Sequence, residues 1–172
     1  MLGVNECHAL LVTLGAPHRL RTHAVLVLEA ADALLDELER RVPVDAALVR
    51  AGAILHDVGK TIHPSELEAK GSLHEAAGER LLLDRGIDPR IARQCVTHAD
   101  WSGDRSLEEL LVALADKLWK GVRVADLEAR IVDRVATVRG GPSWEVFVEL
   151  DACFEAIAAQ GDARLARSVM RR

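Results

Sequence analysis

The chain has 172 residues, 49% of them apolar and only 3% aromatic, with a formal net charge of −5. That length suffices for one domain with a buried core. The Ala- and Leu-rich, tyrosine-free composition favours helices over strands, and the negative balance excludes a chain-wide basic field for duplex nucleic acid. No run of about 18 apolar residues offers a membrane span. The first fifteen residues lack the basic start of a signal peptide, and Cys7, Cys95 and Cys153 are odd in number and far apart, as suits free thiols in a reducing cytosol. These features lead us to expect a cytoplasmic, all-α, single-domain protein.

Residues 4–14 read as a short helix closed by Gly15 and Pro17. From 20 to 41 a long amphipathic helix is expected, with Val27, Ala30, Ala31, Leu34 and Leu38 on one stripe and Glu29, Asp32, Asp36 and Glu39 on the other. His23, four residues before Val27, extends the apolar stripe. Val42-Pro43 breaks the chain, and Asp45 is placed to cap a helix over 46–58, apolar on every side and ended by Gly59. Ser65 and Glu68 have capping-box spacing for a brief helix over 65–70. A helix from 72 to 85 carries His74, Gly78, Leu81 and Leu82 on one face. Asp88-Pro89 opens another, in which Ile91, Cys95 and His98 share a stripe. Ser106 and Glu109 form a capping box for a helix over 107–120, where Asp116 shares a face with Val112 and Trp119. Two further helices, over 124–138 and 143–159, flank Gly140-Gly-Pro142, and a frayed helix is expected over 162–172. No repeat or long linker divides the chain.

Five helices thus each present His or Asp from an apolar face: His23, His56-Asp57, His74, His98 and Asp116. One such residue is ordinarily a satisfied core group, but five point to a common partner, because a buried imidazole–carboxylate cluster costs several kcal/mol without one. Imidazole and carboxylate without thiolate suit Fe, Mn, Co, Ni or Zn better than a cysteine-rich structural zinc site. A helix turns ~100° per residue, so His56 and Asp57 cannot point the same way. They can flank one ion, or Asp57 can bridge two.

His23, His56-Asp57 and Asp116 in this order resemble the H…HD…D signature of the HD-domain superfamily of metal-dependent phosphohydrolases, and His56-Asp-Val-Gly-Lys60 is similar to its HD-[IV]-G-K variant. The resemblance covers about residues 18–125. It implies a bundle of about 7–9 helices around a metal site, with the C-terminal helices, 124–172, packed on the motif core. It also implies two divalent ions, with Fe favoured and Mn, Co, Ni, Zn or Mg as other occupants. His23, His56, Asp57 and Asp116 would hold the first ion, Asp57 would bridge, and His74 with His98 would complete the second site.

The activity so implied is hydrolysis of a phosphate ester or anhydride, of a nucleotide or a related small molecule, by a metal-bound hydroxide. Asp57 and Lys60 would be catalytic, with Lys60 neutralising charge that develops on the phosphoryl group. Lys60, Lys117, Arg123 and Arg19 would bind substrate, and Lys120 and Arg21 stand near enough to join them. The small size and the Ala115-Asp-Lys-Leu118 segment followed by Arg123 look like the bacterial branch that splits symmetrical diadenosine tetraphosphate. The chain departs from that branch at Ala99 and Gly59. His98-Ala-Asp-Trp-Ser does not resemble the HD-GYP phosphodiesterases. Two other readings share these ligands: a diiron oxygenase of the HD fold and a regulatory domain that binds a nucleotide without turning it over. His8, His18 and His63 are expected at the surface, with His18 near the pocket mouth, and Trp101 and Trp119 in core packing, with stacking on a base as the other reading. Asp100 and Asp104 are solubilising loop acids or substrate contacts. The expected partner is a small phosphorylated substrate, with no membrane and no nucleic-acid duplex, and a homodimer is compatible with the chain.

Overall fold

The computed structural model describes residues 2–170; Arg171 and Arg172, the end of the expected last helix, lie outside them. Among the described residues there are nine α-helices, two short 3-10 turns and no strand. In chain order the helices are α1 (Val4–Thr13), α2 (His18–Leu38), α3 (Ala46–Leu55), α4 (Leu73–Leu83), α5 (Pro89–Thr97), α6 (Leu107–Leu118), α7 (Ala125–Arg139), α8 (Ser143–Ala158) and α9 (Gly161–Met170). No helix among the described residues is long and apolar enough to cross a membrane.

Local chemistry sets most of the boundaries. Asp45 accepts a hydrogen bond from Leu48 N at 3.1 Å and opens α3, and Asp88 accepts one from Arg90 N at 2.9 Å to open α5. The capping box of α6 closes in both directions, Glu109 N to Ser106 Oγ and Ser106 N to Glu109 Oε2. Each satisfies backbone donors that a helix start leaves without partners. The box expected from Ser65 and Glu68 does not form: Pro64–Leu67 is a 3-10 turn with no side-chain cap.

Helix α3 is the axis of the molecule. Of its ten residues only Ala46, Ala47 and Arg50 escape full burial. It separates two apolar clusters and contributes to both. Val49 and Ala53 join the larger one, built with α2, α6, α7 and α8. Leu48, Ala51, Ile54 and Leu55 join the other, with α1, α4, α5 and the start of α2. A helix buried on all sides has no solvated stripe, which is why its run of small and branched residues shows no amphipathic period.

Its C-terminal end falls three residues earlier than expected. The helix stops at Leu55, Asp57 leaves helical geometry with φ −99°, and Val58–Thr61 tighten into a 3-10 turn. Gly59 therefore lies inside the turn. A Cβ there would stand 1.9 Å from His74 O and 2.6 Å from Gly78 N, so the turn packs directly on the backbone of α4. This close approach is available only to glycine without displacement of the backbone.

Candidate metal centre

Six side chains converge where α3 ends. His23 comes from α2, His56 and Asp57 from the exit of α3, His74 from the first turn of α4, His98 from the C-terminal cap of α5, and Asp116 from the last turn of α6. All but His23 are buried, and His23 is 18% exposed in its side chain, which marks the open side of the cluster.

The two oxygens of Asp57 face different partners. Oδ2 lies 3.2 Å from His23 Nε2 and 3.7 Å from His56 Nε2. Asp116 Oδ1 completes that group, 3.5 Å from His23 Nε2 and 3.7 Å from His56 Nε2. On the other side Oδ1 lies 3.1 Å from His74 Nε2 and 3.7 Å from His98 Nε2. Adjacent residues achieve this because the chain leaves the helix between them: His56 keeps helical dihedrals while Asp57 does not.

Three imidazoles are oriented from behind. His56 Nδ1 is 3.0 Å from Ala53 O, His98 Nδ1 is 3.2 Å from Gln94 O, and His74 Nδ1 is 2.6 Å from Glu66 Oε2. These acceptors hold a proton on Nδ1 and turn Nε2 into the cluster, where it can offer its lone pair to an ion, the arrangement found behind metal-bound histidines. Glu66 also accepts from Leu73 N and His74 N, so one carboxylate caps α4 and orients its histidine.

Without an ion, the imidazoles keep the buried carboxylates ionised. Burial raises the Asp57 carboxyl, but the charge of His56 and the hydrogen bonds of His23 and His74 outweigh it and hold the group well below its usual value. Burial likewise opposes ionisation of Asp116, and His56, Lys117 and His23 overcome it. His98 is pushed down to about 3 by burial and by His56, which keeps it neutral. His74 is lowered by burial but raised more by Asp57 and Glu66.

These residues fit a cation. His56 Nε2 and His23 Nε2 stand 3.2 Å apart, and Asp57 Oδ1 and His74 Nε2, 3.1 Å from each other, are sealed from solvent with no further partner. Buried polar atoms of this kind call for a partner. Two ligands about 2.1 Å from one ion, at right to tetrahedral angles, stand roughly 3.0–3.4 Å apart, close to the separations above. Two groups could hold an ion: His23 with His56 and Asp116, and His56 with Asp57 and His98. Cys95 is not a donor, because burial and the charge of Asp57 raise its thiol far above its usual value.

The expected substrate residues divide. Lys60 Nζ is 2.6 Å from Asp57 Oδ2, Lys117 Nζ is 2.8 Å from Asp116 Oδ2, and Lys120 Nζ is 3.7 Å from the same oxygen. Arg123 is redirected: its guanidinium is taken by Glu128, Asp151 and Glu155 and ties the start of α7 to α8. Three carboxylates satisfy it more fully than a transient phosphate would. Arg19 is largely exposed, 3.8 Å from Glu68. Trp119 packs edge-on against His23 at 5.1 Å and belongs to the larger apolar cluster. Trp101 donates to Asp126 under the Lys117 ammonium. Asp100 accepts from Ser102, and Asp104 pairs with Arg134. His18 is exposed, and His8 and His63 are half-buried, none of them in the cluster. Glu66 escaped the sequence reading because its partner lies eight positions away across two turns, a separation with no helical period.

The family described as HD domain matches residues 20–135. A tRNA (cytidine(56)-2'-O)-methyltransferase of Thermoplasma volcanium is 30% identical over 143 residues, covering 74% of this chain and 39% of that protein. A protein of the same name from Picrophilus torridus is 28% identical over 141 residues, covering 72% of this chain and 38% of its own length. The chain therefore spans about two fifths of the length of the curated relatives it matches. No solved structure matches the chain.

Proposed function

The chain belongs to the HD-domain family, and from that premise we propose that it is a metal-dependent phosphohydrolase acting on a phosphate ester or anhydride of a nucleotide or related small molecule. The observation that carries this reading is the division of Asp57, with one oxygen toward His23 and His56 and the other toward His74 and His98. Divalent cations at such a centre would supply charge to a phosphoryl oxygen and acidify water at neutral pH.

The chain's own residues do the rest. His23, His56, Asp57 and Asp116 form one half of the ligand set, and Asp57, His74 and His98 form the other. Lys60 and Lys117, each 20% exposed in the side chain, present ammonium groups beside Asp57 and Asp116 and meet the negative charge of an incoming phosphate. Leu55 and Val58, on either side of His56-Asp57 in the chain, and Trp119, packed on His23, are buried. Methyl transfer to tRNA is the named activity of relatives more than twice as long, and the imidazole–carboxylate cluster supports hydrolysis instead. The finer assignment to diadenosine tetraphosphate loses one support, since Arg123 is engaged elsewhere.

The test is phosphate release from a panel of nucleotides, dinucleoside polyphosphates and phosphomonoesters, with Fe, Mn, Co or Ni supplied in turn. Turnover with at least one metal is expected, and D57A should abolish it. No release with any metal, together with oxygen consumption under reducing conditions, would replace this reading with an oxygenase.

A further inference from the structure

A second feature stands apart from the metal centre. Between α2 and α9 lies a cavity of about 520 Å³, within the range of small-molecule sites. On α2 the residues that line it, His18, Arg21, Thr22, Val25, Leu26 and Glu29, recur mostly at intervals of three and four and form one stripe. His23 is rotated ~100° from Thr22 and ~200° from Arg21, so the stripe faces away from the cluster.

The charges in this cavity are unbalanced. Glu29 is its carboxylate, and Arg167 already holds it in a two-pronged pair at 2.9 and 2.5 Å. Buried Arg164 lies behind this pair, donates to Ile157 O and Gln160 Oε1, and is not part of the lining. Arg21 remains. Its Nε is sealed from solvent without a hydrogen-bond partner, and among the described residues its guanidinium forms no ion pair. Among the described residues the lining holds two guanidiniums, Arg21 and Arg167, and one carboxylate, Glu29. Arginine cannot shed its proton, and with no carboxylate partner among the described residues Arg21 leaves its terminal amino groups for an anion in the groove. Beside these groups Val25 and Leu26 provide an apolar wall, and the hydroxyl of Thr22 lies 3.2 Å from His18 Nδ1.

We infer that this cavity binds a small phosphorylated molecule, with its phosphate on the Arg21 fork and its organic part against Val25 and Leu26. The fork, hydroxyl and imidazole match a tetrahedral oxyanion, and a groove of about 520 Å³ has room for a mononucleotide. The site is independent of hydrolysis at the metal centre.

The test is a titration of the full chain, loaded with Zn²⁺, with adenosine monophosphate and with inorganic phosphate, followed by side-chain NMR. A saturable shift of the Arg21 Nε–H and the Val25 methyl signals is expected, and it should persist after a chelator removes the metal. R21Q should weaken binding at least about tenfold, the loss expected for a charged hydrogen bond. V25W, at a position 43% exposed, should fill the cavity and weaken binding without disturbing the fold. A response confined to the imidazoles of the metal cluster, no saturation, or wild-type affinity in both variants would overturn the inference. The hydrolase reading would survive any of these, because the cluster imidazoles report on it separately.

Discussion

The carboxylate of Glu66 grips His74 twice, at ring Nδ1 (2.6 Å) and at backbone N (3.1 Å). It can approach so closely because Gly71 has no side chain: a Cβ there would stand 2.2 Å from Glu66 Oε1. E66A should weaken metal binding about 10–100-fold, the usual consequence of losing a partner behind a metal-binding histidine. Chelator competition measures it. Unchanged affinity with lowered stability would make Glu66 only a helix cap.

Asp57 ties the cluster together even without metal. His56, His23 and His74 hold its carboxyl ionised, and Lys60 Nζ pairs with it at 2.6 Å; removing one member of such a buried group leaves the others uncompensated. Metal-free D57A should therefore be less stable than metal-free wild type in urea unfolding. Added metal should raise the melting temperature of wild type but not of D57A. A variant that keeps both metal binding and activity would remove Asp57 from the ligand set.

Lys60 separates binding from turnover. Its ammonium is 2.6 Å from Asp57 Oδ2 but is not itself a ligand. K60A should keep the metal content of wild type while kcat falls about 10²-fold, the scale of one lost electrostatic contact to developing charge. Loss of metal together with activity would assign the lysine to assembly of the centre instead.

Gly59 tests the packing that places the centre. G59A puts a methyl group into the backbone of α4 and should destabilise the protein by about 1–3 kcal/mol, as overpacking does. Because α4 carries His74, metal affinity should fall with stability. Differential scanning calorimetry with and without metal reads both effects.

Glu37 offers a pH test remote from the centre. The hydrogen bond from Arg41 holds its carboxyl below the usual value of 4.5. A depressed carboxyl contributes stability above its unfolded value and loses it as pH falls through the folded one. E37Q should cost about 0.2–1 kcal/mol at pH 7, and the gap to wild type should close as the solution is acidified below about 4.5. A gap that persists at acid pH would mean that the effect is packing.

How much of the centre was legible can be judged from single residues. His23, His74 and Asp116 stood on apolar stripes, and a polar group on a buried stripe is visible in the sequence as a break in hydrophobic period. Glu66 and Arg123 were not legible. Glu66 looks like any acid in a short turn, and Arg123 follows Asp116 closely enough to suggest the same pocket. Only the packing of α7 and α8 shows that Glu128, Asp151 and Glu155 claim it.

By itself the sequence determined the helical class, most helix starts and the set of histidines and carboxylates that meet, because capping, periodicity and burial cost are local or nearly so. The tertiary structure decided how Asp57 is used. Where α3 ends early and Gly59 packs on α4, the two oxygens of Asp57 face different imidazoles. A contact between segments that far apart in sequence leaves no periodic trace along the chain.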